Sequence, residues 1–351
     1  MERIRLLFEQ LEEAKRLMMR GTLLDTRLAL ILLDNAAELL MYRELRYQFA
    51  WDDSFALPSW LPKVPGVEYP LGPSYTKEER RKAEDEFKPK VKLLTHHLHK
   101  ISIKQAGILR VCHEMRNDAF HREELNPEIL RPTTELLFLT VAELARDFPI
   151  HSYSLHAGTQ SEENAAFLKR FGLDSADHFG NHQVSEKMYT KLVESVGFDC
   201  TLSKQLSEDM TNRLDGIIES LAYVNDDETD EQKLDHNLRY TQFWRERGNR
   251  VMQEAHKTGK YPKEELDRAY LNWSQDPGPR YTIPKIKRRR VHASAIAKMT
   301  HPSDALVTYA AIERWMAPLE EDVRQAVSSY EQHIDAMIEE AQLRRVFGEQ
   351  S

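Results

Sequence analysis

Between residues 23 and 40 the run LLDTRLALILLDNAAELL is apolar on almost every side of a helix. Such a helix has to be buried, because an all-round apolar surface cannot face water. Nothing in the chain offers a sheet to bury it. No run alternates with the period of two that a half-buried strand needs, and only 13 Gly are present. The helical period recurs almost everywhere instead. This predicts an all-α fold: an antiparallel helical bundle with a helical C-terminal extension. Asp34, Asn35 and Glu38 interrupt the apolar run. A buried acid is costly unless paired, so these residues must reach an edge or meet a partner such as an Arg.

A second stretch, Val91 to His121, carries apolar residues at Val91, Leu94, Leu98, Ile101, Ile108, Cys112, Met115 and Ala119. Those steps of three and four predict one continuous amphipathic helix. Gln105 occupies a slot where an apolar residue is expected. The stretch closes on Arg116-Asn117-Asp118-Ala119-Phe120-His121. On an unbroken helix Arg116 and His121 lie roughly 140° apart, at about 100° per residue. Asn117 and His121 share a face. Joint action of Arg116 and His121 therefore needs the helix to loosen near His121, or a second copy of the chain to complete the site. Asn126-Pro127 and Pro132 are stop signals consistent with loosening.

The remaining elements follow from the same reading. Helices are expected at 2–19 and 23–49. An irregular, ordered insertion rich in Pro and aromatic residues follows at 51–75, with Trp51, Phe55, Trp60 and Tyr69 free to pack on helices. Thr76-x-x-Glu79 is a capping box, Pro89 kinks or restarts its helix, and Pro132 opens another that stops at Pro149. The polar, aperiodic segment 149–160 is the best boundary. It gives a helical domain at 1–150 with the 51–75 insertion, and a second helical domain at 151–351. Helices in the latter are expected at 161–171, 184–196, 202–224, 230–258, 262–274, 303–317 and 319–346, with Pro277, Pro279 and Pro284 breaking the pattern.

No apolar run approaches the roughly 18 residues of a membrane span. The N-terminal MERIRLLFEQLEEAKRLMMR is acidic in its middle, unlike a signal or transit peptide. Cys112 and Cys200, the only cysteines, read as free thiols in a reducing cytoplasm. The formal charge of −8 requires any contact with a polyanion to be local. The densest basic run is Lys285, Lys287, Arg288, Arg289 and Arg290, following Tyr281 in a Pro-rich loop. It suits RNA phosphates with an aromatic for a base to stack on, or is a solvated connection. His113, Asn117 and His121 are spaced by four, but Asn117 breaks the H-E-x-x-H pattern begun by His113-Glu114. His96-His97-x-His99 makes no clear ligand set either. Neither a metal nor another cofactor is expected.

Spacings like that of Arg116 and His121 recur at Arg146 with His151 and at Arg250 with His256. The first straddles Pro149 and the second lies on a highly charged helix. Only Arg116-Asn117-Asp118-Ala119-Phe120-His121 combines a polar residue after the Arg with a long apolar helix before it and a buried, acid-bearing helix upstream. In that setting the stretch resembles the HEPN family, small helical bundles with an R-N/D/H-x(3–5)-H motif at the end of a long helix. The run LALILLDNAAELLMYREL looks like an early helix of that family, and PTTELLFLTVAELARDF suits its closing helix. The resemblance covers roughly residues 1–150 and implies metal-independent RNA cleavage. Arg116 and His121 would be catalytic, and Asn117 would orient His121 or bond the phosphate. A homodimer with two facing motifs would act as a toxin or anti-phage defence effector, with an antitoxin or regulatory protein as a further partner. The alternatives are a helix end whose Arg116 pairs with Glu38 or Asp34, a non-catalytic helical interaction protein that keeps the motif as a structural Arg–His pair, and the neutralising partner of a toxin.

Overall fold

The computed structural model describes residues 2–55, 75–121, 127–148, 162–173, 182–194, 196, 201–224, 230–258, 262–275 and 279–348. Among them the chain is helical with no strand, an all-α fold. It divides into two compact units, 1–202 with 300–307, and 203–299 with 308–351.

In the first unit, α1 (Glu2–Arg20) and α2 (Leu23–Phe55) form a helical hairpin. Gly21 turns the chain at φ +73, a conformation other residues adopt only with strain. Thr22 then caps α2, its Oγ1 accepting from Asp25 N at 3.1 Å. The apolar run of α2 buries Ala29, Leu30, Leu33, Ala36, Ala37 and Met41. Its helix runs past the expected end at 49 and carries Trp51 into solvent, 54% exposed. Residues 56–74 of the Pro-rich insertion lie outside the described residues.

The expected capping box at Thr76 is formed and starts α3 (Lys77–Asp85). The single helix expected over 91–121 is broken. α4 (Phe87–Lys92) widens into one π-helical turn at Leu93–His97. His99 takes φ 51, and Lys100 N bonds back to Leu94 O at 2.8 Å. α5 (Ile103–His121) then starts afresh. Ser102 and Gln105 make the reason plain. Gln105 N donates to Ser102 Oγ at 3.1 Å, and Ser102 N to Gln105 Oε1 at 2.9 Å. That reciprocal cap satisfies donors that a continuous helix would have bonded internally. Gln105 is thus a cap where the periodicity called for an apolar residue.

α6 (Pro127–Asp147) begins at Pro127 and contains Pro132. Pro127 is a first-turn proline, whose missing N–H costs nothing there. The boundary expected at 149–160 lies outside the described residues, yet the first unit extends well beyond it. α7 (Glu162–Arg170) brings Phe167 to Phe8 with ring centroids 6.3 Å apart, and Phe171 to Phe8 at 5.6 Å. α8 (His182–Val193) places Tyr189 under the Arg146 guanidinium at 4.7 Å. Apolar and aromatic burial ties these short helices to the first unit.

The second unit starts with α9 (Leu202–Tyr223), α10 (Glu231–Phe243), α11 (Asn249–Thr258) and α12 (Pro262–Gln275). A π-helical turn at Trp244–Gly248 divides what reads as one helix over 230–258. α13 (Ile283–Ile296) occupies residues expected to form a Pro-rich loop. Thr282 caps it and Pro284 sits in its first turn. α14 (Pro302–Gly348) runs through Pro318 as one helix where two were expected. Arg213 is the polar hub of this unit, donating to Glu320 at 2.9 and 2.8 Å, to Glu313 at 3.0 Å and to the Tyr309 hydroxyl at 3.0 Å.

Within the first unit α5 meets the start of α14 through Gly107. A Cβ there would stand 2.4 Å from Val307 Cγ2, inside any permissible contact. Gly107→Ala is expected to cost about 1–3 kcal/mol in chemical denaturation. Adding Val307→Ala should recover most of it, and simple additivity of the two changes would contradict this contact.

Candidate functional site

Asp34 sits at the middle of the apolar helix α2 with its side chain only 2% exposed. A carboxylate so placed must be compensated. α5 supplies both compensating groups from positions one turn apart, which share a helix face. His113 Nδ1 lies 3.1 Å from each Asp34 oxygen, and Arg116 Nε lies 3.4 Å from Oδ2. The pairing expected of a buried acid here is therefore made with Asp34, while Asn35 is exposed.

Phe87 of α4 fixes the other side of the imidazole. Its ring lies 3.8 Å from that of His113, at 6° between planes. Because a carboxylate can only accept, Nδ1 carries a proton, and in the neutral ring Nε2 then offers a lone pair. No described residue bonds to Nε2, and the His113 side chain is 18% exposed. Arg116 reaches solvent with 30% of its side chain, and its Nη1 donates to Asn117 Oδ1 at 2.9 Å. An imidazole and a permanent cation thus stand within one turn of α5.

The backbone of α5 stays helical through His121, and residues 122–126, up to the stop signal at Pro127, lie outside the described residues. Positions 113, 117 and 121 follow one another along one face. The side chain of His121 lies outside the described residues, as does Arg122. Cys112, between these groups and the core, is fully buried. Burial pushes its thiol up, and the nearby Asp34 charge adds to this, so it supplies no thiolate nucleophile.

Sequence reasoning weighed His113 only as a metal ligand. The signal it held was positional: a His three residues before Arg116 on the face turned to an acid-bearing helix. His96, His97 and His99 are exposed around the helix break. Among the described residues no three His, Cys, Asp or Glu converge as metal ligands.

The basic run is on a helix of the second unit, not in a loop, and most of its charge is engaged. Lys285 Nζ donates to the carbonyls of Pro279 and Arg280 at 3.1 and 3.0 Å. Lys287 pairs with Glu231, Arg290 is bidentate to Asp215, and Arg289 lies 5.2 Å over the Trp315 ring. Arg288 is exposed.

Comparison of the chain with protein-family models, with curated proteins and with solved structures finds no match.

Asp34 is expected to be coupled to Arg116. Asp34→Asn should lower stability by about 1–3 kcal/mol, below the roughly 3–5 of a fully buried pair because Arg116 reaches water. A double-mutant cycle with Arg116→Ala should return a coupling of at least about 0.5 kcal/mol. Strict additivity would mean that Asp34 is balanced by other groups.

Proposed function

We propose that the chain is a metal-independent endoribonuclease whose site is built on Arg116, Asn117 and His121, a HEPN-like reading of the first unit. The observation that carries it is Arg116 itself. Its guanidinium is anchored by Asp34 and Asn117, yet a third of the side chain meets solvent, so it is oriented without being enclosed.

RNA carries its own nucleophile, the 2′-OH. Its cleavage needs a base for that proton, an acid for the departing 5′-oxygen and a cation for charge gathering on phosphate. Arg116 answers the last need with a permanent charge and donors matched to phosphate oxygens. His121 would supply the imidazole, a group able to act in either proton role. One imidazole cannot fill both roles in the same step, so a second group is required. Two facing copies of the motif in a homodimer would supply it. A toxin or defence effector, checked by an antitoxin or regulatory protein, is the biological setting that this chemistry suits.

RNA binding falls to Lys285, Lys287, Arg288, Arg289 and Arg290 of α13. Exposed ion pairs such as those to Glu231 and Asp215 are worth only about 0–1 kcal/mol, so a phosphate can displace them. The Arg116–Asp34 pair supports a second reading, a non-catalytic helical interaction protein in which Arg116 merely balances a buried acid.

Purified protein incubated with total RNA in EDTA is expected to cleave it and leave 2′,3′-cyclic phosphate and 5′-OH ends. Arg116→Ala and His121→Ala should each abolish cleavage with helical circular dichroism retained. Cleavage that vanishes in EDTA and returns with zinc or magnesium would point to metal chemistry instead. Intact RNA in every condition would favour the interaction protein.

Replacing Lys287, Arg288 and Arg289 together by Ala should weaken RNA binding and lower its salt slope by about one unit per lost contact. Turnover of bound RNA should hardly change. Equal affinities and slopes over several salt concentrations would mark α13 as an internally paired helix with no RNA role.

A further inference from the structure

We infer that His113, not a histidine from a second copy, is the base that takes the 2′-OH proton, with Asp34 as its positioning residue. The inference rests on the ribonuclease reading and supplies the group it lacks.

Three features of the site carry it. The Asp34 carboxylate is fully inside the bundle and holds Nδ1 through both oxygens, which fixes the tautomer that leaves Nε2 as acceptor. Phe87 stacked face to face on the ring prevents the imidazole from swinging away. Arg116, one turn on along α5 and paired with the same carboxylate, brings a permanent cation to the same stretch of helix, as phosphate requires.

The step balances as follows. Nε2 of His113 accepts the 2′-OH proton as the bond from O2′ to phosphorus forms. The bond from phosphorus to O5′ breaks, and protonated His121 gives its proton to O5′. His113 ends as imidazolium, its charge met by Asp34, and His121 ends neutral; exchange with water restores both. Position 117 falls between positions 113 and 121 on the same helix face. The products are the cyclic phosphate and the 5′-OH, with no metal-bound water required. A single chain then holds both proton-transfer groups.

The test compares wild type, His113→Ala and His121→Ala at full length. One substrate is an RNA oligonucleotide. The other is uridine 3′-(p-nitrophenyl phosphate), whose leaving group departs without a proton. Wild type should cleave both. His113→Ala should be slower by about 10²–10⁴-fold on both, and added imidazole, entering the space left against Phe87, should restore part of the rate. His121→Ala should fail on the oligonucleotide and recover on the nitrophenyl ester. If circular dichroism shows that His113→Ala does not fold, His113→Asn takes its place, because its amide still donates to Asp34 yet cannot accept the proton; the same loss is expected. Oligonucleotide cleavage by a folded His113 variant at the wild-type rate would overturn the assignment and leave the ribonuclease reading standing. So would a His113 variant impaired on the oligonucleotide alone, since that marks an acid. A wild type inactive on both substrates would remove the ribonuclease reading and this base together.

Discussion

One carboxylate governs the first unit. Asp34 lies in the most apolar helix of the chain, where an ionised side chain can persist only with hydrogen bonds and a counter-charge. α5 provides both from a single face, His113 through Nδ1 and Arg116 through its guanidinium. That requirement sets how α5 meets α2, because rotating α5 by one residue would carry both groups about 100° away. Gly107, one to two turns earlier, allows α5 to lie close against the first turns of α14, and Phe87 closes over the imidazole from α4.

The consequence is an unequal sharing of exposure. Asp34 is buried, His113 partly so and Arg116 less, so that a buried anion orients two groups that reach solvent. This differs from a polar centre of the second unit. In the second unit Arg213 is ringed by Glu320, Glu313, Tyr309 and Asp209. Burial and the acids around it push the Tyr309 hydroxyl up, so it stays protonated and serves as a donor to Asp209 at 2.7 Å. There the named groups face one another inside the unit. At Asp34 one ring nitrogen of His113 meets no partner among the described residues.

Much of this was readable from residues alone. The helical period carried the all-α fold, and the isolated acid in α2 called for a basic partner. The break in the 91–121 stretch was missed, because the apolar repeat masked Ser102-x-x-Gln105 as a helix start. Thr282 followed by Pro284 likewise marks a helix start, which the nearby prolines disguised as a loop. What periodicity does not contain is pairing between distant elements. It cannot say that Asp34 meets α5 rather than an edge, that His113 is the residue met, or that Phe167 and Phe171 return to Phe8 and extend the first unit beyond 150. Those contacts depend on helix rotation and on how short helices close over a core, which a single chain's spacing leaves open.

The direct test of the account is the tautomer of His113, read from the ring-nitrogen chemical shifts of isotopically labelled protein at alkaline pH. A carboxylate that holds Nδ1–H leaves Nε2 without a proton, the reverse of what a solvated imidazole favours. The account predicts a protonated Nδ1 and a bare Nε2 in the wild type, and loss of that preference in Asp34→Ala. A wild-type ring protonated at Nε2 would contradict it, because Asp34 would then neither orient the imidazole nor leave it an acceptor beside Arg116.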